Sequence, residues 1–277
     1  MSASKTNSYQ LLACDKRSWQ GTPAVNIELV DEIAAAISIN GIATAVMMVS
    51  PNDLKPFALG FALSEGFIEH ATDVRDLEIH SPDNDALVTQ LTIELTISPR
   101  MFRQFKQSQQ VRLGASGCGL CGTESLAQAF PKLPTLSACT DIAPSDLSQA
   151  RSLLNQHQEL AHKTGAIHAA LLLSPQGEVI VCMEDIGRHN ALDKVIGYAL
   201  ENGLQLHDHS VIMSSRCSTE LVQKAVKAKL SRLIHLASPS HQAVTMARHY
   251  GLVLIHLPKQ DSPRLYAPID PFKDASP

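Results

Sequence analysis

Three things are missing from this sequence, and each absence removes a class of function. No stretch approaches the roughly twenty apolar residues that a helix needs to cross a bilayer. The opening MSASKTNSYQLLACDKRSWQ also has no apolar core behind a basic patch, so neither a membrane span nor a secretory leader is expected and the chain is assigned to the cytoplasm. A basic excess is missing as well. Lys and Arg total 23 against 27 Asp and Glu, a formal charge of -4, so a broad phosphate-tracking surface, and with it nucleic acid as a partner, is not expected. The third absence is a second cysteine knuckle: Cys118 and Cys121 form the sequence's only CxxC. A structural zinc needs four ligands, so no metal is expected.

What is present describes a globular chain. Its 277 residues, 44% hydrophobic and 18% charged, are enough for about two domains, each with its own core. Reducing conditions in the cytoplasm argue against a disulfide framework. Cys14, Cys139, Cys182 and Cys217 are dispersed and read as small buried or incidental side chains.

From Val25 to about Arg112 hairpins alternate with helix. AAAISI and IATAVMMV flank Asn40-Gly41, a pair suited to the positive φ angles of a tight hairpin turn. SPNDLKPFALGFALSEGFI then repeats apolar residues at helical spacing, and DLEIH with ALVTQLTIEL reads as a second hairpin around SPDND. Residues 130–144, FPKLPTLSACTDIAP, carry three prolines and read as a linker. A helix is expected from about 145 to 161. Beyond it lie the hairpin IHAALLL/EVIVCM and the helix NALDKVIGYAL. SVIM, SSRC and STELVQKAVKAKL then give strand, loop and helix, repeated by RLIHLA, SPS and HQAVTMARHY, and GLVLIHL is a last strand. The fold expected is an α+β N-terminal domain (20–130, ending in the CxxC loop), a linker (131–144), and a C-terminal α/β domain (145–268) with a mixed, largely parallel sheet. A tail (269–277) follows.

Ligands of such sheets collect at the carboxyl ends of the strands. Glu184, Asp185, Arg188 and His189 fall at the first of these ends, Ser214, Ser215 and Arg216 at the second, and Ser238 and Ser240 at the third. Ser218 and Ser238 suit helix N-caps, with Pro239 in the first turn, and Asp185 is spaced to pair with Arg188 across the turn. Two arginines near helix N-termini would also hold a phosphate or pyrophosphate.

The thiol pair sits among Gly114, Gly117, Gly119 and Gly122, which free the backbone and clear side chains from the approach of a bulky partner. Thr123 can cap a following helix, and a helix N-terminus favours thiolate over thiol. A zinc deaminase would show H-x-E and then P-C-x-x-C; here Gly117 precedes Cys118, and His168 is followed by Ala169 and Ala170. The pattern points to nucleophilic sulfur chemistry, a thiolate taking the outer sulfur of a donor persulfide.

Four segments, SPNDLKPFALGFALSEGFI, GASGCGLCGTESL, MEDIGRHNALDKVIG and SSRCSTELVQKA, resemble the FdhD family, sulfur carriers needed to make active formate dehydrogenase. The likeness runs from about Val25 to Tyr266. It implies that sulfur comes from a cysteine desulfurase and passes to the molybdenum (or tungsten) bis-pyranopterin guanine dinucleotide cofactor, bound only transiently, before that cofactor enters the catalytic subunit of formate dehydrogenase. It also implies a homodimer and a cytidine-deaminase-like C-terminal fold. By position in the motif, Cys118 carries the persulfide and Cys121 is its companion, while Arg188, His189, Ser215 and Arg216 lie where the cofactor's pyrophosphates would be held. The family's basic, Gly-containing stretch after the last strand corresponds to LPKQDSPR, residues 257–264, within which Leu257, Pro258, Lys259, Gln260, Asp261 and Ser262 are assigned to the cofactor. Lys259 and Arg264 keep charge there, the glycines are gone and Asp261 is added. A non-catalytic assembly chaperone that binds cofactor and client enzyme is the alternative of a different class.

Overall fold

The computed structural model describes residues 9–14, 25–81, 90–109, 132–140, 144–165 and 167–266. Cys118, Cys121 and the helix expected after Thr123 lie outside them. Strands β1 (Tyr9–Cys14) and β2 (Val25–Val30) form an antiparallel ribbon. β3 (Ile33–Ile39) and β4 (Ile42–Val49) follow as the expected hairpin, with Asn40 at φ 48 and Gly41 at φ 78. Along β3 every second residue is buried, which puts Ile33, Ala35, Ile37 and Ile39 on the core face.

Helix α1 (Leu54–Glu65) comes next, and its Phe57, Ala58, Phe61 and Ala62 are buried. After one 3-10 turn (Ala71–Asp73), β5 (Val74–His80) and β6 (Gln90–Ile97) pair antiparallel, as the second hairpin required. The sheet order is β4-β3-β6-β5, with β6 parallel to β3. Helix α2 (Pro99–Gln109) is an element the sequence reading did not foresee. Polar residues dominate it, but Met101 and Phe105 are buried, and Phe105 meets Phe67 edge-on at 5.2 Å between centroids.

The C-terminal half opens with α3 (Pro144–His157) and α4 (Glu159–Thr164), where one helix was expected. The break at Gln158 has a cause. The Glu184 carboxylate accepts hydrogen bonds from the N–H groups of Leu160 (2.8 Å) and Ala161 (2.9 Å), capping a new helix start.

Then come β7 (His168–Leu173), β8 (Val179–Asp185), α5 (Arg188–Glu201), β9 (Ser210–Met213), α6 (Thr219–Lys227), β10 (Arg232–His235), α7 (His241–Tyr250), β11 (Val253–His256) and β12 (Arg264–Tyr266). The sheet order is β12-β11-β10-β9-β7-β8. Among the described strands of this sheet, β9–β10 and β10–β11 pair in parallel and the other neighbours antiparallel. The sheet is therefore mixed, as expected, but not largely parallel by its pairings. The β7–β8 hairpin must be antiparallel, β7 also runs against β9, and the chain turns back after β11 to add β12.

One face of this sheet packs Leu172, Val211, Leu233 and Leu254 against α5, α6 and α7; the other packs Leu171, Ile212, Ile234 and Ile255 against Ala150 and Leu154 of α3. Helix α1 lies against α5, joining the two sheets' layers. Residues 132–140 have no regular structure, but they are docked. Leu136 N–H donates to Tyr250 O (2.8 Å), and the Asp208 carboxylate accepts from Thr140 N–H (2.8 Å). Buried Arg232 donates to Thr140 O and to Thr140 Oγ1. Tyr250, Asp208 and Arg232 all precede or begin strands, so the segment follows the amino ends of β9, β10 and β11. No described helix is long and apolar enough to cross a membrane.

Candidate functional site at the strand ends

The carboxyl ends of β8 to β11 meet the start of β7, and most of the polar residues singled out in the sequence gather there. Asp185, the last residue of β8, is fully buried, and its four hydrogen bonds fix the turn that follows. Oδ1 accepts from Gly187 N–H and Asn190 Nδ2 (both 2.8 Å); Oδ2 accepts from Ser50 N–H (3.1 Å) and Lys194 Nζ (2.8 Å). The pairing of Asp185 with Arg188 is thus corrected, because the buried ammonium of Lys194, two turns into α5, takes that place. Burial pulls the Lys194 pKa down and Asp185 pulls it back. Glu184 serves as the cap of α4, and burial pushes its pKa up against those two N–H bonds.

Arg188 and His189 open α5 and are half-buried. His189 Nε2 lies 2.7 Å from Glu220 Oε2 and 3.4 Å from Ser218 Oγ, which closes the loops after β8 and β9 on each other. The His189 bond holds the Glu220 carboxyl below its usual range, and Arg188 adds to that. His168 is close enough to Arg188 to feel its charge, though burial is the larger cause of its lowered pKa.

On the β9 loop, Ser214 Oγ accepts from Ala169 N–H (2.9 Å) and so ties the loop to β7. Ser215 is buried, its hydroxyl donating to Arg216 O (3.1 Å), whereas Arg216 is exposed. Ser218 is the N-cap of α6 by position, but its side chain caps nothing and faces His189 instead. Ser238 and Pro239 do not start α7. Ser240 caps it, accepting from Ala243 N–H (3.1 Å), while Ser240 N–H donates to Cys217 O (3.1 Å) and links two strand-end loops.

Two histidines escaped the sequence reading. His235 and His256 are in register on β10 and β11, and both are buried. The Ser215 carbonyl, 3.0 Å from His235 Nδ1, assigns the proton to that nitrogen. Burial pushes the His235 pKa down to about 4, so Nε2 is a bare acceptor at neutral pH. Neither it nor His256 Nδ1 has a partner among the described residues; buried polar nitrogens of this kind are satisfied by water or by a ligand.

The stretch after β11 starts buried and ends exposed. Leu257 N–H donates to His235 O (2.8 Å), and Leu257 O accepts from Arg151 Nη2 (2.7 Å). Pro258 is half-buried, and Lys259, Gln260, Asp261 and Ser262 are exposed. Asp261 is spent on Arg264 at 2.7 Å, which lowers its pKa, and on Ser262 N–H. The segment leaves the sheet two strand spacings, about 10 Å, from β9. Arg188, His189, Ser215 and Arg216 thus belong to one loop cluster and 257–262 to its flank.

Of the dispersed cysteines, Cys182 and Cys217 have thiols that burial pushes up to about 12, which suits packing and not nucleophilic work. Among the described residues no cluster of three or more His, Cys, Asp or Glu could hold a metal.

The model of the FdhD/NarQ family matches residues 30–271. The sulfur carrier protein FdhD of Burkholderia mallei (strain ATCC 23344) is 37% identical over 227 residues, 81% of this chain and 82% of the relative. That of Cupriavidus necator (strain H16) is 36% identical over 241 residues, 87% and 82% of the two chains. A crystal structure described as that of a candidate formate dehydrogenase accessory protein from Desulfotalea psychrophila superposes with a TM-score of 0.69 at 20% identity. It covers 96% of this chain and 99% of that one.

Proposed function

The chain belongs to the FdhD/NarQ family, and on that premise we propose that it is a sulfur carrier serving formate dehydrogenase. The Cys118 thiolate attacks the outer sulfur of a persulfide on a cysteine desulfurase, forming the new S–S bond as the donor's own thiolate leaves. Cys118 then bears the persulfide. Cys121 can resolve it: attack on the inner sulfur closes a Cys118–Cys121 disulfide and releases hydrosulfide, the two thiols supplying the two electrons. The acceptor is the molybdenum or tungsten bis-pyranopterin guanine dinucleotide, held as substrate until it is handed to the catalytic subunit.

Arg188, His189, Ser215 and Arg216 take the pyrophosphate charge of this substrate, with Leu257 to Ser262 at the flank. Pro258, Lys259 and Gln260 offer side chains there in place of close backbone approach. The cytidine-deaminase-like character of the C-terminal sheet, the division at 131–144, the homodimer and the cytoplasmic site of action belong to the same proposal.

One observation carries the reading: the chain's lone CxxC occurs in a relative of proteins named sulfur carriers over more than four fifths of its length. The test is mass spectrometry after incubation with a desulfurase and cysteine. A gain of about 32 Da per sulfur on the peptide bearing Cys118 is expected, and its absence from the wild-type protein sinks the proposal.

A further inference from the structure

The turn after β4 is bound to the turn before α5 through every backbone and side-chain oxygen or nitrogen of one residue. Ser50 is fully buried; its N–H donates to Asp185 Oδ2 (3.1 Å), its Oγ accepts from Ile186 N–H (3.0 Å) and its carbonyl accepts from Lys194 Nζ (3.4 Å). Asn190 adds a further tie, donating to Met48 O (2.8 Å) and to Asp185 Oδ1. Asn52 Nδ2 donates to Glu184 O (3.0 Å). The seam is tight at Gly187, where a Cβ would lie 2.7 Å from Asn190 Nδ2.

Gly187 is the N-cap of α5, and the first intrahelical bond runs from Ala191 N–H to Gly187 O. The amides of Ile186 and Gly187 are consumed by Ser50 and Asp185. With both of these backbone groups pinned, the direction in which Arg188 and His189 leave the helix start is set by the seam and not by the helix alone.

We propose that Ser50 and Asp185 are positioning residues for the strand-end anion site, so that the N-terminal sheet shapes a site whose charges lie on the C-terminal one. The inference rests on the reading of Arg188 and His189 as contacts of the cofactor's pyrophosphate. Neither Ser50 nor Asp185 touches that ligand; each acts through the 186–189 turn. Ser50 is the member to change, because removing Asp185 would strand the Lys194 charge in the interior.

The experiment is a double-mutant cycle read by calorimetric titration of the full chain with guanosine diphosphate, which carries one guanosine and one pyrophosphate. Ser50→Ala is expected to weaken binding about tenfold, Ser50→Thr to restore most of it, and Arg188→Ala to weaken it comparably. In the Arg188→Ala background Ser50→Ala is expected to change little, since the side chain it aims is gone. Equal losses in both backgrounds overturn the inference, because Ser50 then acts on the fold as a whole; so does Ser50→Ala with no loss. Failure of the wild-type protein to bind guanosine diphosphate overturns the cofactor reading itself and the inference with it. Should Ser50→Ala not fold, Asn190→Ser in the same cycle carries the test, since Asn190 ties the same turn to Met48.

Discussion

Gly60 of α1 lies against Asp193 of α5 so closely that a Cβ on the glycine would come within 1.8 Å of the Asp193 carbonyl oxygen. The contact is reciprocal: a Cβ on Gly197 would come within 1.8 Å of Pro56 O. Backbone meets backbone at this crossing, and the Asp193 side chain uses the proximity, accepting from Ser64 Oγ (2.7 Å) and from Lys224 Nζ (2.7 and 2.9 Å). The layers of the two sheets are joined here by two glycines and one buried ion pair.

Gly60→Ala therefore cannot be absorbed by a rotamer change, because the obstacle is main chain. It is expected to lower stability by about 3 kcal/mol or more, read as a drop in the urea midpoint, whereas Gly41→Asn at the exposed hairpin turn should cost far less.

The buried Lys194–Asp185 pair predicts an asymmetry. Lys194→Met alone leaves the carboxylate without its cation and should destabilise by roughly 3 to 5 kcal/mol. Adding Asp185→Asn should recover part of that loss, since no unpaired charge then remains inside. Urea unfolding of the two variants decides it.

These two features also mark how far the sequence could be read. The hairpin at Asn40-Gly41 and the strand-loop-helix alternation from His168 onward were legible because each depends on local spacing. Lys194 was not, because a lysine inside ALDKVIG looks like any solvated helix residue until Asp185 and Ser50 close over it. Helix α2 was obscured by its polar run, and Met101 and Phe105 mark its buried face only once Phe67 is beside them. His235 and His256 gave no motif; their relation is one of register between β10 and β11. The strand-end placement of Arg188, His189, Ser215 and Arg216 was legible from the alternation of strand and helix, but the pairing of His189 with Glu220 and Ser218 was not.

Acid should destabilise the fold in two stages. His235 has a folded pKa of about 4, below the ordinary histidine value of 6.5, so the unfolded chain binds the proton first and stability falls as pH drops from about 6.5 to 4, by on the order of 3 kcal/mol. Glu220, whose folded pKa is held down by His189, adds a loss that begins below the ordinary glutamate value of 4.5 and continues as pH falls through the folded value. Urea midpoints measured across this range should slope upward with pH. His235→Gln, which keeps a donor for Ser215 O, should reduce the slope of the upper stage, where His168 and His256 supply the rest, and leave the lower stage unchanged.

Arg232 clamps Thr140, the end of the 132–140 segment, at the amino ends of the strands. Arg232→Ala should raise the hydrogen exchange of the Thr140 amide, whose bond to Asp208 it supports, without altering exchange in β7 or β8. Equal acceleration throughout the sheet would mean that Arg232 holds the sheet and not the segment.

Thiol reactivity gives a final discrimination among the cysteines. A thiol with a pKa of about 12 is almost wholly protonated at neutral pH, and half-buried Cys182 and buried Cys217 are both in that state because desolvation disfavours the thiolate. The thiolate is the reactive form, so iodoacetamide at pH 7.5 should leave these two unmodified while the chain stays folded. Cys118 stands among four glycines and, if it is the sulfur acceptor, must present a thiolate to a second protein. It should be alkylated first, and prior alkylation should abolish sulfur loading from the desulfurase. Labelling of Cys217 ahead of Cys118 would show instead that the strand-end loops open readily, and the nucleophile would have to be sought there.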